Sequence, residues 1–242
     1  DDVAQHVLRH NYDQTLALSL QEMRAGEDNE AIQAFMSGLE KRGRLDRKGE
    51  GLPSGAQMAA RRAQGLGLYR PELAVATAYA KLTLFDDMIA STAPDDPAFI
   101  DVLTDYFPAA LHGYRRAIRE HRLHRDIIAT VLANEIVNMT GASFASRLMR
   151  GAGVDAGGLT LAFEATRRLF GVKALWAQID ALDNQIPASE QLMLYARLAR
   201  FVRHQTWWMA RRFAGGALTL DAMIAPYAEG LQSLMTEEGD IA

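Results

Sequence analysis

The chain has 242 residues and no Cys, with 26 Lys plus Arg against 30 Asp plus Glu and a net charge of −4. A chain of this length buries roughly 70–75% of its unfolded surface, so it needs neither a disulfide nor a structural metal to fold. The lack of Cys excludes thiolate metal sites and cysteine nucleophiles, and the mildly acidic balance gives no bulk attraction for nucleic acid.

Strand signals are nearly absent. No run of alternating β-branched residues occurs, and no Asn-Gly or Asp-Gly hairpin turn. Ala, Leu, Arg, Glu and Gln dominate, and apolar residues recur at spacings of three and four. The expected fold is all-α, a multi-helix bundle without significant sheet.

In chain order, the first residues, DDVAQHVLRHNYDQT, contain no apolar segment of the kind a signal peptide needs. Asp2 to Met23 reads as a helix with Val3, Val7, Leu8, Tyr12, Leu16 and Leu20 on one side. A second helix runs from a cap at Glu27–Asn29 to about Lys41, carrying Ile32, Phe35, Met36 and Leu39. The two form an expected helical hairpin, residues 1–48, loosely attached to a main domain at 52–242. The charged, Gly-punctuated stretch Arg42 to Gly51 is the linker between them.

Ser54 can cap a short helix that Gly65 and Gly67 end. Tyr69 to Ser91 is then the expected central, buried helix. Pro71 suits a first turn, Glu72 faces the positive end of the helix dipole, and few polar side chains interrupt Leu73 to Phe85. At roughly 30 Å such a helix spans a small domain. Lys81, Asp86 and Asp87 interrupt its apolar run, and no membrane span is expected.

TAPDDP (Thr92 to Pro97) stops that helix, and Pro108 disfavours helical geometry at Phe107, so Tyr106 and Phe107 are expected to plug the core. An amphipathic stretch, Ala109 to Arg122, precedes a major core helix from Leu123 to Met139. Further helices follow at Leu159 to Phe170, Val172 to Leu182 and Ala188 to Phe213, the last broken by Gly215 and Gly216. A final helix, capped by Thr219, is expected to kink or break at Pro226, and the acidic tail from Thr236 to fray.

Few constellations point to chemistry. On the Leu123 helix, Glu135 and Asn138 fall within the apolar stripe of Ile127, Ile128, Val131, Leu132, Ile136 and Met139, with Asn134 beside them. Polar groups on a packed face cost several kcal/mol unless paired. Asn134, Glu135 and Asn138 are therefore the candidate buried polar network, serving either helix register or a ligand or interdomain site. Arg70, Arg147, Trp176 and Trp208 are the candidate partners for Glu135. Asp86 and Asp87 lack the third carboxylate of an aspartate-rich magnesium motif. GAGVDAGG (Gly151 to Gly158) has no preceding strand to make it a dinucleotide loop. His121 and His124 have no third ligand nearby. No catalytic, cofactor-binding or metal residue is assigned.

Arg197, Arg200, Arg203, Arg211 and Arg212, with His204, Trp207 and Trp208, lie on a helix without an acid after Glu190. Leu194, Leu198, Phe201 and Trp208 make its expected buried stripe, and the arginines are expected to pair with carboxylates of this region or of another domain. Taken alone, this basic, Trp-bearing helix also supports a different class, a free-standing helical module that binds nucleic acid or a partner helix.

LGLYRPELAVATAYAKLTLFDD (Leu66 to Asp87), DYFP (Asp105 to Pro108), HRLHRDIIATVLANEIVNMTGASF (His121 to Phe144), LWAQIDALDNQIP (Leu175 to Pro187) and TWWMARR (Thr206 to Arg212) together resemble the C-terminal helical region of the bacterial large-type NAD-specific glutamate dehydrogenases. The resemblance is clearest from about Leu52 to Arg212. It implies a parent enzyme that oxidises L-glutamate to 2-oxoglutarate and ammonium with NAD, its catalytic lysines and nucleotide-binding glycines lying upstream. On that reading the chain, which begins without Met, is a piece of a longer protein. It is inactive alone, binds no cofactor itself, and partners the catalytic region of its own polypeptide. The parent is expected to be cytoplasmic and homo-oligomeric, with no nucleic-acid or membrane partner.

Overall fold

Glycines and caps divide the described residues into twelve α-helices. The computed structural model describes residues 2–215 and 219–237, with the side chains of residues 2, 3, 6 and 231–237 outside the described set. Val3, Gly216 and the acidic tail beyond Glu237, each singled out above, fall outside it as well. The helices are α1 (Asp2–Glu22), α2 (Asn29–Lys41), α3 (Gly55–Ala63), α4 (Arg70–Ile89), α5 (Ile100–Tyr106), α6 (Arg115–Arg119), α7 (His124–Thr140), α8 (Phe144–Ala152), α9 (Ala156–Leu169), α10 (Val172–Asp180), α11 (Ala188–Arg212) and α12 (Leu220–Glu237). Among the described residues there is no strand, and the fold is all-α.

Local chemistry accounts for most of the boundaries. Ser54 Oγ accepts from the Gln57 N–H while Gln57 Oε1 accepts from the Ser54 N–H, a reciprocal cap on α3. Glu72 Oε2 accepts from the Tyr69 N–H at 2.7 Å at the start of α4. Gly141, at φ 92°, separates α7 from α8. Phe107 takes the extended geometry that Pro108 demands. Gly113 divides the amphipathic stretch 109–122 into a 3₁₀ turn and the single turn α6. One expectation fails here: Tyr106 is 51% exposed rather than plugged into the core. α12 runs on through Pro226.

The main core runs unbroken from α2 to α9, while Leu16 and Leu20 of α1 pack with Tyr195 in a smaller separate cluster. Ile32, Phe35, Met36 and Leu39 of α2 belong to the same apolar cluster as Leu73, Leu84 and Met88 of α4, Leu132 and Ile136 of α7, and Phe163 of α9. α4 packs on α7 through one face and leaves Leu82 60% exposed. The helix enclosed on most sides is α9, which packs against α10, α11 and α12 and buries both Glu164 and the apolar run Leu161–Phe163.

α1 and α2 do not pair as a hairpin: α1 packs on α4, α7 and α11, and α2 on α3 and α8. Gln21, 4% exposed, ties α1 down. Its Nε2 donates to Thr77 Oγ1 at 3.0 Å, and its Oε1 accepts from the Ala142 N–H at 3.0 Å. The opening turns of α1 stand clear of the body, with Val7 and Leu8 54% and 68% exposed. The segment read as a linker folds around buried Arg47, whose guanidinium donates to Gln33 Oε1, Ser37 Oγ and the Pro53 carbonyl.

Candidate functional site: a charged cavity between α1, α7, α9 and α10

The sequence-predicted trio separates. Asn134 bonds back to its own helix, its Nδ2 donating to the Thr130 carbonyl at 2.9 Å. Glu135 stands at the edge of the α7 stripe with 40% of its side chain exposed and accepts from Arg167 Nη1. Asn138 Oδ1 is enclosed without a hydrogen-bond partner. The three make no bond to one another. Arg167, outside the set of candidate partners, comes from the last turn of α9. Among those candidates, Trp176 lines the same cavity, while Arg70 is occupied by Glu22, Ser19 and the Thr15 carbonyl.

Glu135, Asn138 and Arg167 form one side of a cavity of about 380 Å³, with Trp176 and Lys173 of α10 and Arg9, Asp13 and Asp180 opposite. Two ionic groups frame it. In the first, Arg167 joins Glu135 to Glu164, whose Oε2 lies 3.4 Å from Arg167 Nε; Arg168 Nε donates to Glu164 Oε1 at 2.8 Å and Arg168 Nη2 to the Ala98 carbonyl at 2.6 Å. Burial pushes the Arg167 guanidinium down to about 10, with Arg168 adding to the effect. Burial likewise raises the Glu164 carboxyl, against the pull of Arg168.

In the second group Arg9 Nη1 donates to Asp180 Oδ2 at 2.8 Å and Arg9 Nε to Asp13 Oδ2 at 3.1 Å. Tyr195, buried against Trp176 at 4.8 Å between ring centroids, donates its hydroxyl to Asp180 Oδ1. Burial, followed by the Asp180 and Tyr12 hydrogen bonds, raises the Tyr195 hydroxyl well above its ordinary value.

Arg9, Arg167 and Lys173 thus face Asp13, Glu135 and Asp180, three charges of each sign. Each of these carboxylates has a cation partner, and no Ser, Cys or His lines the cavity. The arrangement clamps four helices. It offers one unfilled polar contact, at Asn138 Oδ1, and no activated nucleophile.

The other motifs are absorbed by structure. Gly153, at φ 69°, ends α8, and Asp155 Oδ1 caps α9 by accepting from the Gly158 N–H at 2.8 Å, so GAGVDAGG is a stop followed by a start. His121 Nδ1 accepts from the Leu123 N–H, and His124 Nδ1 contacts the His121 carbonyl. Asp86 pairs with Arg44. Among the described residues no three His, Asp or Glu side chains gather as a metal site, and no single helix is long and apolar enough to cross a membrane.

Residues 65–241 match the family model described as "Glutamate dehydrogenase, C-terminal". The chain is 39% identical over 216 residues to an NAD-specific glutamate dehydrogenase of Halomonas elongata, covering 89% of this chain and 13% of that protein. It is 40% identical over 212 residues to the corresponding enzyme of Pseudomonas aeruginosa, covering 87% and 13%. With that of Mycobacterium tuberculosis it shares 34% identity over 198 residues, covering 81% and 12%. The chain thus spans 12–13% of the length of these relatives.

Proposed function

Because the chain belongs to the glutamate dehydrogenase C-terminal family, we propose that it is the C-terminal helical region of an NAD-dependent glutamate dehydrogenase and holds no catalytic group of its own. The parent enzyme converts L-glutamate, NAD⁺ and water to 2-oxoglutarate, ammonium, NADH and a proton, in the cytoplasm and as a homo-oligomer. NAD binds outside this region. The region serves the catalytic part of the same polypeptide by packing against it, by subunit contacts, or by passing on regulation.

The observation that carries this reading is the pairing of extensive likeness with short coverage: up to 89% of this chain aligns with enzymes of which it makes up about an eighth. It is supported by the use of the chain's charged cavity for helix clamping, with its carboxylates paired. The test is NADH formation from L-glutamate and NAD⁺. The longer polypeptide is expected to turn over and the 242-residue chain to give only background. Robust turnover by the chain alone would overturn the assignment of catalysis to the upstream region.

A further inference from the structure

A concavity of about 1040 Å³ runs along one face of α11, walled by α8 and the α1–α2 turn. Arg147, Arg197, Arg200, Arg203 and Arg211 face it. None of the five forms an ion pair among the described residues, so the expected pairing with carboxylates of this region does not occur. Of the two acids in the groove, Glu27 and Asp28, the second is taken by Arg24.

So much like charge on one face of a chain with net charge −4 is a local concentration, and it is repulsive. Burial pushes the Arg203 guanidinium down to about 10, and Arg24, Arg147 and Arg200 push the same way against the opposing pull of Asp28. The groove also offers apolar contacts. Met23, Met193 and Trp208 are 47%, 50% and 47% exposed there, and Trp207 lies edge-on to Phe144 at 6.5 Å, closing the floor.

The shape of the groove decides what fits it. Arg197 to Arg211 covers about 21 Å of helix, at 1.5 Å per residue. A single phosphate or dicarboxylate does not reach across that distance, whereas about four turns of a helix do. Guanidinium forks match carboxylates in pairs, and the exposed Met and Trp side chains match an apolar stripe. A duplex or single-stranded nucleic acid would fit the charge, but a chain acidic overall repels it at long range.

We propose that this groove docks an acidic, amphipathic segment from elsewhere in the longer polypeptide, its carboxylates on Arg147, Arg200 and Arg203 and its apolar side chains on Met193 and Trp208. The proposal rests on the reading that this chain is part of a longer enzyme, most of whose length lies outside it.

The experiment uses the full-length enzyme with a photo-reactive amino acid at Met193. The expected result is capture of one Asp/Glu-rich peptide from upstream of this region. Capture is expected to be lost in the Arg200→Glu/Arg203→Glu variant and reduced in the Arg200→Gln/Arg203→Gln variant, which removes charge without reversing it. It should be retained in Arg115→Glu, which alters an exposed arginine on α6. Replacing an acid of the captured peptide by Arg in the Glu variant should restore it. Circular dichroism of each variant identifies any that fails to fold, in which case the Gln pair decides. Capture of nothing, of the same region in another copy, or of nucleotide or nucleic acid would overturn the proposal, as would capture that survives charge reversal. NAD-dependent glutamate turnover is measured on the same preparation. Turnover without capture sinks the docking site alone, and capture without turnover sinks the enzymatic reading alone.

Discussion

Gly67 has no room for a side chain. A Cβ there would lie 1.9 Å from the Ala25 carbonyl oxygen, and one on Gly26 would lie 2.1 Å from the Gly65 carbonyl oxygen. Both obstacles are backbone, so neither can swing aside. Gly67→Ala is therefore expected to destabilise the chain by about 3 kcal/mol or more, read as a lower urea midpoint; an unchanged midpoint would mean the two strands of chain part easily. The sequence marks Gly65 and Gly67 as helix stops, but a backbone crossing between Ala25–Gly26 and Gly65–Gly67 leaves no local signature.

Glu72 gives a test with a sign in pH. Burial on its own would raise its carboxyl, but the Arg61 guanidinium, with Nη2 2.9 Å from Oε1, and the Tyr69 N–H hold it below its ordinary value of 4.5. A depressed carboxyl stabilises the fold above the ordinary value and loses that contribution as the pH falls through the depressed one. Glu72→Gln should cost about 1–2 kcal/mol at neutral pH. The gap to the parent should narrow in urea melts taken below pH 4.5.

Among the elements, α11 is the most instructive. Its large apolar residues suggest a stripe of Leu194, Leu198, Phe201 and Trp208, yet Phe201 and Trp208 are 36% and 47% exposed. The buried face is instead Gln191, Tyr195, Ala199, Val202, Thr206 and Met209. Small side chains such as Ala199 and Thr206 let α11 lie close on α9, and bulky residues are displaced to the rim. Periodicity finds the helix, but the phase is set by the shape of the neighbour. α1 fails in the same way, since Val7 and Leu8 meet no partner that would bury them. The cationic face of α11 predicts a gain of function for stability. In the isolated chain Arg203→Gln should raise the unfolding free energy by up to about 1 kcal/mol at low salt, an advantage that shrinks as salt is added. A loss of stability on that substitution would mean the groove is balanced by groups within the chain.

For the whole molecule, the fold class, the helix order and most helix limits are legible in glycines, prolines and spacing. The assembly is not. Arg167 reaches Glu135 across 32 positions, Gln21 reaches Ala142 across 121, and Arg9 reaches Asp180 across 171, and no local pattern encodes such pairings. The shared core predicts that residues 1–48 and 52–242 unfold together. The three Trp residues all lie in the second half, with Trp176 packed against the cluster of Leu16 and Leu20 of α1, so their fluorescence reports that half and its contact with α1 while circular dichroism reports every helix. Coincident transitions are expected, and an early dichroic loss of a fifth or so of the helix signal would restore the loosely attached hairpin.

The continuous core has a practical corollary. The family match begins at residue 65, a boundary drawn by likeness that cuts through packed side chains. A chain trimmed to it would lack Phe35, Met36 and Leu39, which are 5%, 1% and 0% exposed, and would leave the greasy walls they cover bare to water. Such a trimmed piece should come out of the cell as aggregate, however faithfully it follows the ancestry of the sequence.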